Sequence, residues 1–204
     1  NNLGIIGFGG HSKVVEYIAE LNNFNSFYYF DINYQNLKIY NDNQKIIGDI
    51  KDISSDLNID AYFVGIGNNI NRKKNIEILL EKNLDVINLI HPSAQISHDV
   101  SLSNGIIIMA NVVINPNVKI GTGAIINTSS ILEHDTVVGD YCHLAPNTCL
   151  CGNVKINDLS TVGASSVIIP GINIGKNVTI GAGSTVINNI ADNSTAYGNP
   201  ARAK

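Results

Sequence analysis

The chain has 204 residues, of which 15% are charged, and its formal net charge is −4 at pH 7. Only two arginines occur and there is no basic cluster, which argues against a nucleic-acid partner, because phosphate binding needs grouped positive charge. No stretch approaches the ~18 apolar residues that predict a membrane span, and the first ten residues do not predict a signal peptide.

The three cysteines, Cys142, Cys149 and Cys151, predict reduced thiols. Their odd number argues against a disulfide framework, and a structural zinc site needs a second pair of ligands that the spacing does not offer. We therefore expect no metal, and a cytoplasmic location is the default expectation.

Residues 1–88 predict a small α/β unit with a parallel sheet, because strand-like and helix-like segments alternate there. The strands are predicted at 3–6, 27–30, 61–66 and 86–90, and the helices at 12–21 and around 76–80. Residues 33–58 are rich in Asn and Asp and show no clear period.

From residue 91 to residue 186 the chain divides into sixteen consecutive six-residue repeats without an insertion. The sixth position is Ile, Leu or Val in every repeat, and the fourth is small or β-branched. A hexapeptide period predicts a parallel β-helix with three faces per 18-residue coil, in which neighbouring coils bury a common core. We predict the domain boundary between residues 88 and 89, with the β-helix and a C-terminal tail over 89–204.

Residues 18 apart should lie above one another, about 4.8 Å apart, on such a helix. His134 should then lie between Pro116 and Gly152. A second column reads Pro146, Ala164, Ala182, and it begins close to His143. These small residues predict a shallow groove in which an extended ligand contacts the backbone.

Among the histidines, His134 is flanked by acids in the sequence Glu133-His134-Asp135. A carboxylate beside an imidazole holds its tautomer and stabilises its charged form, which favours a general base. The alternative is an exposed histidine in a polar turn. His98 lies two coils away from His134, at about 10 Å, so the two cannot share a metal within one subunit.

Several motifs in this order resemble one known family. They are Gly7-Phe8-Gly9-Gly10-His11, the segments 65–69 and 89–94, the segment 127–135, the segment 151–156, and the closing Gly198-Asn199-Pro200-Ala201. The chain resembles the left-handed β-helix sugar acetyltransferases, in particular the bacterial nucleotide-linked 4-amino-sugar N-acetyltransferases that make bacillosamine-type sugars. The resemblance covers nearly the whole chain.

This resemblance implies a Rossmann-like N-terminal subdomain, a left-handed parallel β-helix and a homotrimer with active sites between subunits. His134 is implied as the general base and Asp135 as the residue that raises its basicity. The implied acetyl-CoA contacts are His143, Ala164 and Ala182. The reaction is implied to be direct transfer of acetyl to the 4-amino group of a 4-amino-4,6-dideoxy sugar, with UDP as the expected nucleotide.

The resemblance also assigns the nucleotide-linked amino sugar to the N-terminal unit. The implied contacts are Gly9, Gly10, His11, Asp31 and Gly67. Gly7-x-Gly9 after a strand also matches part of a dinucleotide fingerprint, but Ser12 occupies its third glycine position. We therefore expect a nucleotide-sugar site, with phosphates near the N–H groups at the helix start. Ile32 occupies a position where the family often has a second acid, so the identity of the nucleotide base is left open.

Other functions are compatible with the same scaffold. GDP- or dTDP-linked amino sugars and O-acetylation of sialic acid are alternatives for the acceptor. A trimeric zinc carbonic anhydrase could use His98 and His134, but its third ligand position is Gly139. A non-catalytic protein that binds sugar nucleotides leaves Glu133-His134-Asp135 without an explanation.

Overall fold

The computed structural model describes residues 1–39, 41–54 and 56–204, and the chain folds into two compact units, Asn1–Leu89 and Ile90–Lys204. The first is an α/β unit and the second is a parallel β-helix, which confirms the predicted fold class. Within the described residues, no helix combines the length and the apolar character needed to cross a membrane.

The first unit is built around a parallel sheet. Its elements are β1 (Asn2–Ile6), α1 (Gly10–Leu21), β2 (Ser26–Phe30), β3 (Gln44–Gly48), β4 (Ala61–Val64) and α2 (Asn69–Glu81), with short 3₁₀ helices at Tyr34–Asn36 and Ile50–Asp52. The strand order is β3-β2-β1-β4, and each neighbouring pair is parallel. All carboxyl ends of the strands therefore meet at one edge, where ligands bind in sheets of this kind.

Two details of this unit differ from the sequence prediction. Strand β3 lies in the segment without a clear period, where Ile46 and Ile47 are surrounded by polar residues. The strand predicted at 86–90 is reduced to an isolated bridge between Val86 and Tyr62 and a two-residue strand, Leu89–Ile90. Both differences follow from edge positions, where partner strands rather than local sequence decide the extent of pairing.

The second unit contains two-residue strands that recur every six residues. From β5 to β21 they are Leu89–Ile90, Gln95–Ile96, Ser101–Leu102, Ile107–Ile108, Val113–Ile114, Lys119–Ile120, Ile125–Ile126, Ile131–Leu132, Val137–Val138, His143–Leu144, Cys149–Leu150, Lys155–Ile156, Thr161–Val162, Val167–Ile168, Asn173–Ile174, Thr179–Ile180 and Thr185–Val186. The tail adds β22 (Thr195–Gly198) and β23 (Ala201–Ala203), an antiparallel pair joined to the eight-stranded sheet.

The hexad positions have the roles that the repeat predicts. The sixth residue ends each strand from Ile96 to Val186, and the fourth residue is buried in every repeat from Ile106 to Ser184. Buried hydroxyls at the fourth position donate to backbone carbonyls, as Ser160 Oγ does to Gly175 O at 2.7 Å. A polar side chain is tolerated there because its hydrogen bond is made inside the core.

The turns use left-handed backbone at the third position of every hexad from Gly105 to Gly183. Asn, Asp and Gly tolerate this conformation best, which explains much of the composition of the repeat. We name the three corners by one residue each. The His134 corner contains the turns at 98–99, 116–117, 134–135 and 152–153; the Ala164 corner contains 128–129, 146–147, 164–165 and 182–183; the Asp158 corner contains 122–123, 140–141, 158–159 and 176–177.

Candidate active site

A cleft of about 340 Å³ lies at the carboxyl edge of the sheet in the first unit. Its lining contains all five residues assigned to the sugar nucleotide from sequence. The lining residues are Gly7, Phe8, Gly9, Gly10, His11, Asp31, Ile32, Asn33, Gly65, Ile66 and Gly67. The structure therefore brings residues from three separate segments of the chain into one place.

The turn after β1 is fixed by a carboxylate. Gly7 has φ +98°, which favours glycine, and an added Cβ would lie 2.9 Å from Ile66 Cγ1. The next N–H, that of Phe8, donates to Asp31 Oδ2 at 2.9 Å, and the N–H of Asn33 donates to Asp31 Oδ1 at 2.8 Å. Asp31 thus links the ends of β1 and β2, and each of its oxygens retains capacity to accept from a ligand.

The backbone beside this turn is open. Apart from the chain neighbours and the backbone of the helix itself, no atom of the described residues lies within 4 Å of a Cβ built on Gly9, Gly10 or Gly67, so a ligand can approach these three residues closely. Helix α1 begins at Gly10, and its first N–H groups and its dipole favour an anion at this end. A phosphate group matches this combination of open backbone and positive helix end.

Arg72, which the sequence analysis did not single out, organises the other wall of the cleft. Its side chain is 1% exposed, and Nη1 donates to the carbonyls of Ile66 at 3.1 Å and Gly67 at 2.8 Å. Nη2 donates to Asn69 Oδ1 at 2.8 Å. The guanidinium therefore holds the loop that carries Gly67, a role that only the folded arrangement of α2 reveals.

A second cleft of about 350 Å³ adjoins the first and shares Gly7, Asp31, Ile32 and Ile66 with it. Its further polar lining comes from Asp49 and from one face of α2, which presents Asn71, Lys74 and Asn75. The sequence analysis missed these residues because 33–58 had no readable period and because polar residues on a helix usually face solvent. Two joined clefts give room for a ligand longer than a single sugar.

His134 and Asp135 form the centre of the His134 corner in the second unit. The distance from His134 Nδ1 to Asp135 Oδ2 is 2.8 Å. The hydrogen bond from His134 lowers the pKa of the Asp135 carboxyl, and a smaller contribution from Asn117 acts in the same direction, so this group is ionised at neutral pH and can only accept. Nδ1 must then donate, which leaves the lone pair of the neutral ring on Nε2, as a general base requires.

The His134 ring lies against Gly152 of the next coil, as the 18-residue spacing predicts. A Cβ at Gly152 would lie 2.7 Å from both Cε1 and Nε2 of His134. The φ of Gly152 is not positive, and Ala occupies the same hexad position at Ala110, Ala164 and Ala182. The backbone therefore accepts alanine at this position, and the three atoms nearest to the added Cβ all belong to the imidazole.

The residues assigned to acetyl-CoA lie elsewhere on the second unit. His143 is in β14, the strand that leads into the Ala164 corner, and its Nε2 lies 3.3 Å from Asn127 Nδ2. Ala164 is half-buried and Ala182 is exposed on successive coils of that corner. Within one chain, the predicted catalytic pair and the predicted cofactor residues thus occupy different corners of the β-helix.

Part of the small-residue pattern at this corner has a structural cause. A Cβ at Gly163 would lie 2.5 Å from the Ala182 N, so the next coil excludes a side chain there. The same restriction applies to Gly139 on the Asp158 corner, where an added Cβ would lie 2.5 Å from Asp158 Oδ1. The alanines are therefore the informative members of the pattern. Among the described residues, no group of His, Cys, Asp and Glu side chains is arranged to hold a metal ion.

Comparison with known proteins assigns the family. Residues 2–79 match the PglD N-terminal domain. PerB from Caulobacter crescentus, solved with CoA and GDP-perosamine, is 33% identical over 100% of this chain and 97% of that chain, with a TM-score of 0.92. The chain belongs to the hexapeptide-repeat sugar N-acetyltransferases.

Two further proteins are similar to this chain, one over its full length and one over a short segment. The acetyltransferase domain of PglB from Neisseria gonorrhoeae, solved with acetyl coenzyme A, is 28% identical over 100% of this chain and 98% of that chain, with a TM-score of 0.90. A putative acetyltransferase from Saccharomyces cerevisiae is 49% identical over 49 residues, which are 24% of this chain and 25% of the yeast protein. The chain matches only about a quarter of the length of such curated relatives.

Proposed function

We propose that the protein transfers acetyl from acetyl-CoA to the 4-amino group of a nucleotide-linked 4-amino-4,6-dideoxy sugar. The observation that carries the proposal is the His134–Asp135 pair, whose geometry leaves a lone pair on Nε2 of a side chain that is largely exposed. Family membership supplies the reaction class, and the two joined clefts of the first unit supply a place for the sugar nucleotide.

Each residue has one task in this proposal. Acetyl-CoA supplies the activated acyl group. The amine forms its bond to the thioester carbonyl carbon while His134 Nε2 takes the proton of the amine, and the carbon–sulfur bond then breaks with CoA leaving as the thiolate. Asp135 stabilises the imidazolium that forms. Gly9, Gly10, His11, Asp31 and Gly67 bind the nucleotide sugar, and His143, Ala164 and Ala182 contact acetyl-CoA.

We further propose a homotrimer, because direct transfer requires the amine, the base and the thioester in one place. Within one chain, His134 and Ala182 lie at different corners. A neighbouring copy that brings its Ala164 corner to this His134 corner completes the site. Mixing inactive His134→Ala and Ala182→Glu proteins, followed by subunit exchange, should then restore activity in hybrid trimers. Absence of recovery in trimers shown to be mixed contradicts the shared site.

An activity assay can identify the nucleotide that carries the acceptor sugar. UDP is our first expectation, and GDP is the second candidate because PerB, 33% identical, was solved with GDP-perosamine. The test is release of the CoA thiol with UDP-, GDP- and dTDP-linked 4-amino-4,6-dideoxy sugars and with sialic acid. Preference for one nucleotide-linked amine supports the proposal and names the substrate. Turnover with sialic acid alone overturns the acceptor, and no turnover with any of them overturns the activity.

A further inference from the structure

The Asp135 carboxylate is held from two sides. Oδ2 faces His134 Nδ1 at 2.8 Å, and Oδ1 accepts from Asn117 Nδ2 at 3.2 Å. Asn117 is 18 residues earlier and therefore lies directly beneath Asp135 on the preceding coil of the His134 corner. The two oxygens thus have separate partners, and this separation fixes the rotation of the carboxylate about its last bond.

This second partner matters because the pair itself is exposed. The side chains of His134 and Asp135 are 63% and 52% exposed. The last torsion of an aspartate is broad, and an exposed ion pair holds its own geometry weakly. An additional donor on a rigid coil keeps the carboxylate in the orientation that serves the imidazole.

Asn117 is itself firmly placed. Its backbone is left-handed, with φ 62°, and its N–H donates to Asp99 Oδ2 at 3.1 Å. Asp99 Oδ1 in turn accepts from Ser97 Oγ at 2.7 Å. A hydrogen-bonded ladder therefore runs from Ser97 through Asp99, Asn117 and Asp135 to His134, along the corner and across three coils.

The other acid beside His134 is held in the same manner. Asn115 Nδ2 donates to Glu133 Oε2 at 3.0 Å, again over 18 residues. The coil beneath the catalytic turn thus presents one amide to each acid that flanks His134. Two parallel contacts of the same kind at this turn indicate that its acids are positioned by the preceding coil.

We propose that Asn117 is a positioning residue for acetyl transfer, whose amide orients Asp135 so that Oδ2 stays on His134 Nδ1 and Nε2 keeps its lone pair. The inference rests on the proposed function, since it concerns the base that we assign. Asn117 acts through Asp135 and contacts neither substrate in this proposal.

The test compares two matched glycine variants. Asn117→Gly removes the amide but permits left-handed backbone. Asn177→Gly is the control, because Asn177 has φ 53° and donates to Asn193 Oδ1 at 2.9 Å, yet lies on the Asp158 corner, where no site residue is proposed. We expect kcat to fall about tenfold for Asn117→Gly, the scale of one orienting hydrogen bond to a charged group, and KM for both substrates to stay unchanged. Asn177→Gly should leave kcat within about twofold of wild type.

A double-mutant cycle separates positioning from a general structural effect. In an Asp135→Gly background, Asn117→Gly should cause no further loss of kcat, because its only route to the base is gone. Equal losses in both backgrounds, or unchanged kcat in the single variant, overturn the inference. Failure of the proposed function is distinct, since it appears as absence of acetyl transfer by the wild-type protein, and the inference then falls with it.

Discussion

The two units of the chain position their polar groups by different means. In the first unit, open backbone at Gly9, Gly10 and Gly67 faces the cleft, while Asp31 in the cleft lining and the buried Arg72 hold the loops that carry this backbone. In the second unit, side chains face outward from turns that the 18-residue coil holds rigidly. Changes in the first unit should therefore affect mainly the binding of the sugar nucleotide, and changes in the second should affect mainly the rate of transfer.

The largest expected effect is that of His134→Ala. Loss of a general base lowers kcat by about 10²–10⁴-fold, while KM for both substrates stays within about twofold. Steady-state kinetics with thiol detection measures both quantities. His98→Ala is the matched control, because His98 is exposed on the same corner two coils away. A His134→Ala protein with wild-type kcat would contradict the assignment of the base.

Gly152→Ala should have the next largest effect. The new methyl group displaces the imidazole, and displacement of a catalytic group by about 1 Å costs on the order of 10²-fold in kcat. The melting temperature should not change, because the exposed ring moves more easily than the backbone. A normal kcat together with an unchanged melting temperature would show that the base works from another ring position.

Asp31→Ala tests the first unit. The N–H groups of Phe8 and Asn33 lose their acceptor, and the loosened turn should raise KM for the sugar nucleotide about tenfold while KM for acetyl-CoA stays constant. Asp60→Ala is the control, since Asp60 Oδ2 accepts from the Asn2 N–H at 2.7 Å at the opposite edge of the same sheet. Equal changes in the two variants would mean that Asp31 has only a structural role.

The smallest kinetic effect is expected for Arg72→Lys. Lysine keeps the charge but lacks the two guanidinium nitrogens that donate to the carbonyls of Ile66 and Gly67 and to Asn69. We expect a loss of about 1–3 kcal/mol in unfolding free energy and a rise of about threefold in KM for the sugar nucleotide. Arg202→Lys, at the exposed second arginine, should change neither in urea unfolding and steady-state assays.

Much of the second unit follows from the sequence because its period maps directly onto space. Counting 18 residues places His134 against Gly152, and the structure gives that contact. Counting did not reveal that Gly163 must be glycine because the next coil leaves no space for a Cβ. Nor did it reveal that Asn117 donates to Asp135. Both depend on the direction in which atoms of one coil point toward the next.

Less of the first unit could be predicted from the sequence, because the segments that meet in its sheet and its clefts are far apart in the chain. The glycine turn and Asp31 were found because they follow strands with clear apolar patterns. Strand β3, Asp49 and the polar face of α2 were missed, since their placement depends on a parallel sheet whose neighbours are far apart in the chain.

The sequence by itself determined the fold class, the family and the spacing that puts His134 beside Asp135 in one turn, because repeats and local motifs need only neighbouring residues. The tertiary structure decided which nitrogen of His134 keeps a lone pair, which loop Arg72 holds, and which residue of the preceding coil contacts Asp135. These features are set by the orientation of side chains from different coils and segments, and orientation is fixed only when the chain is packed.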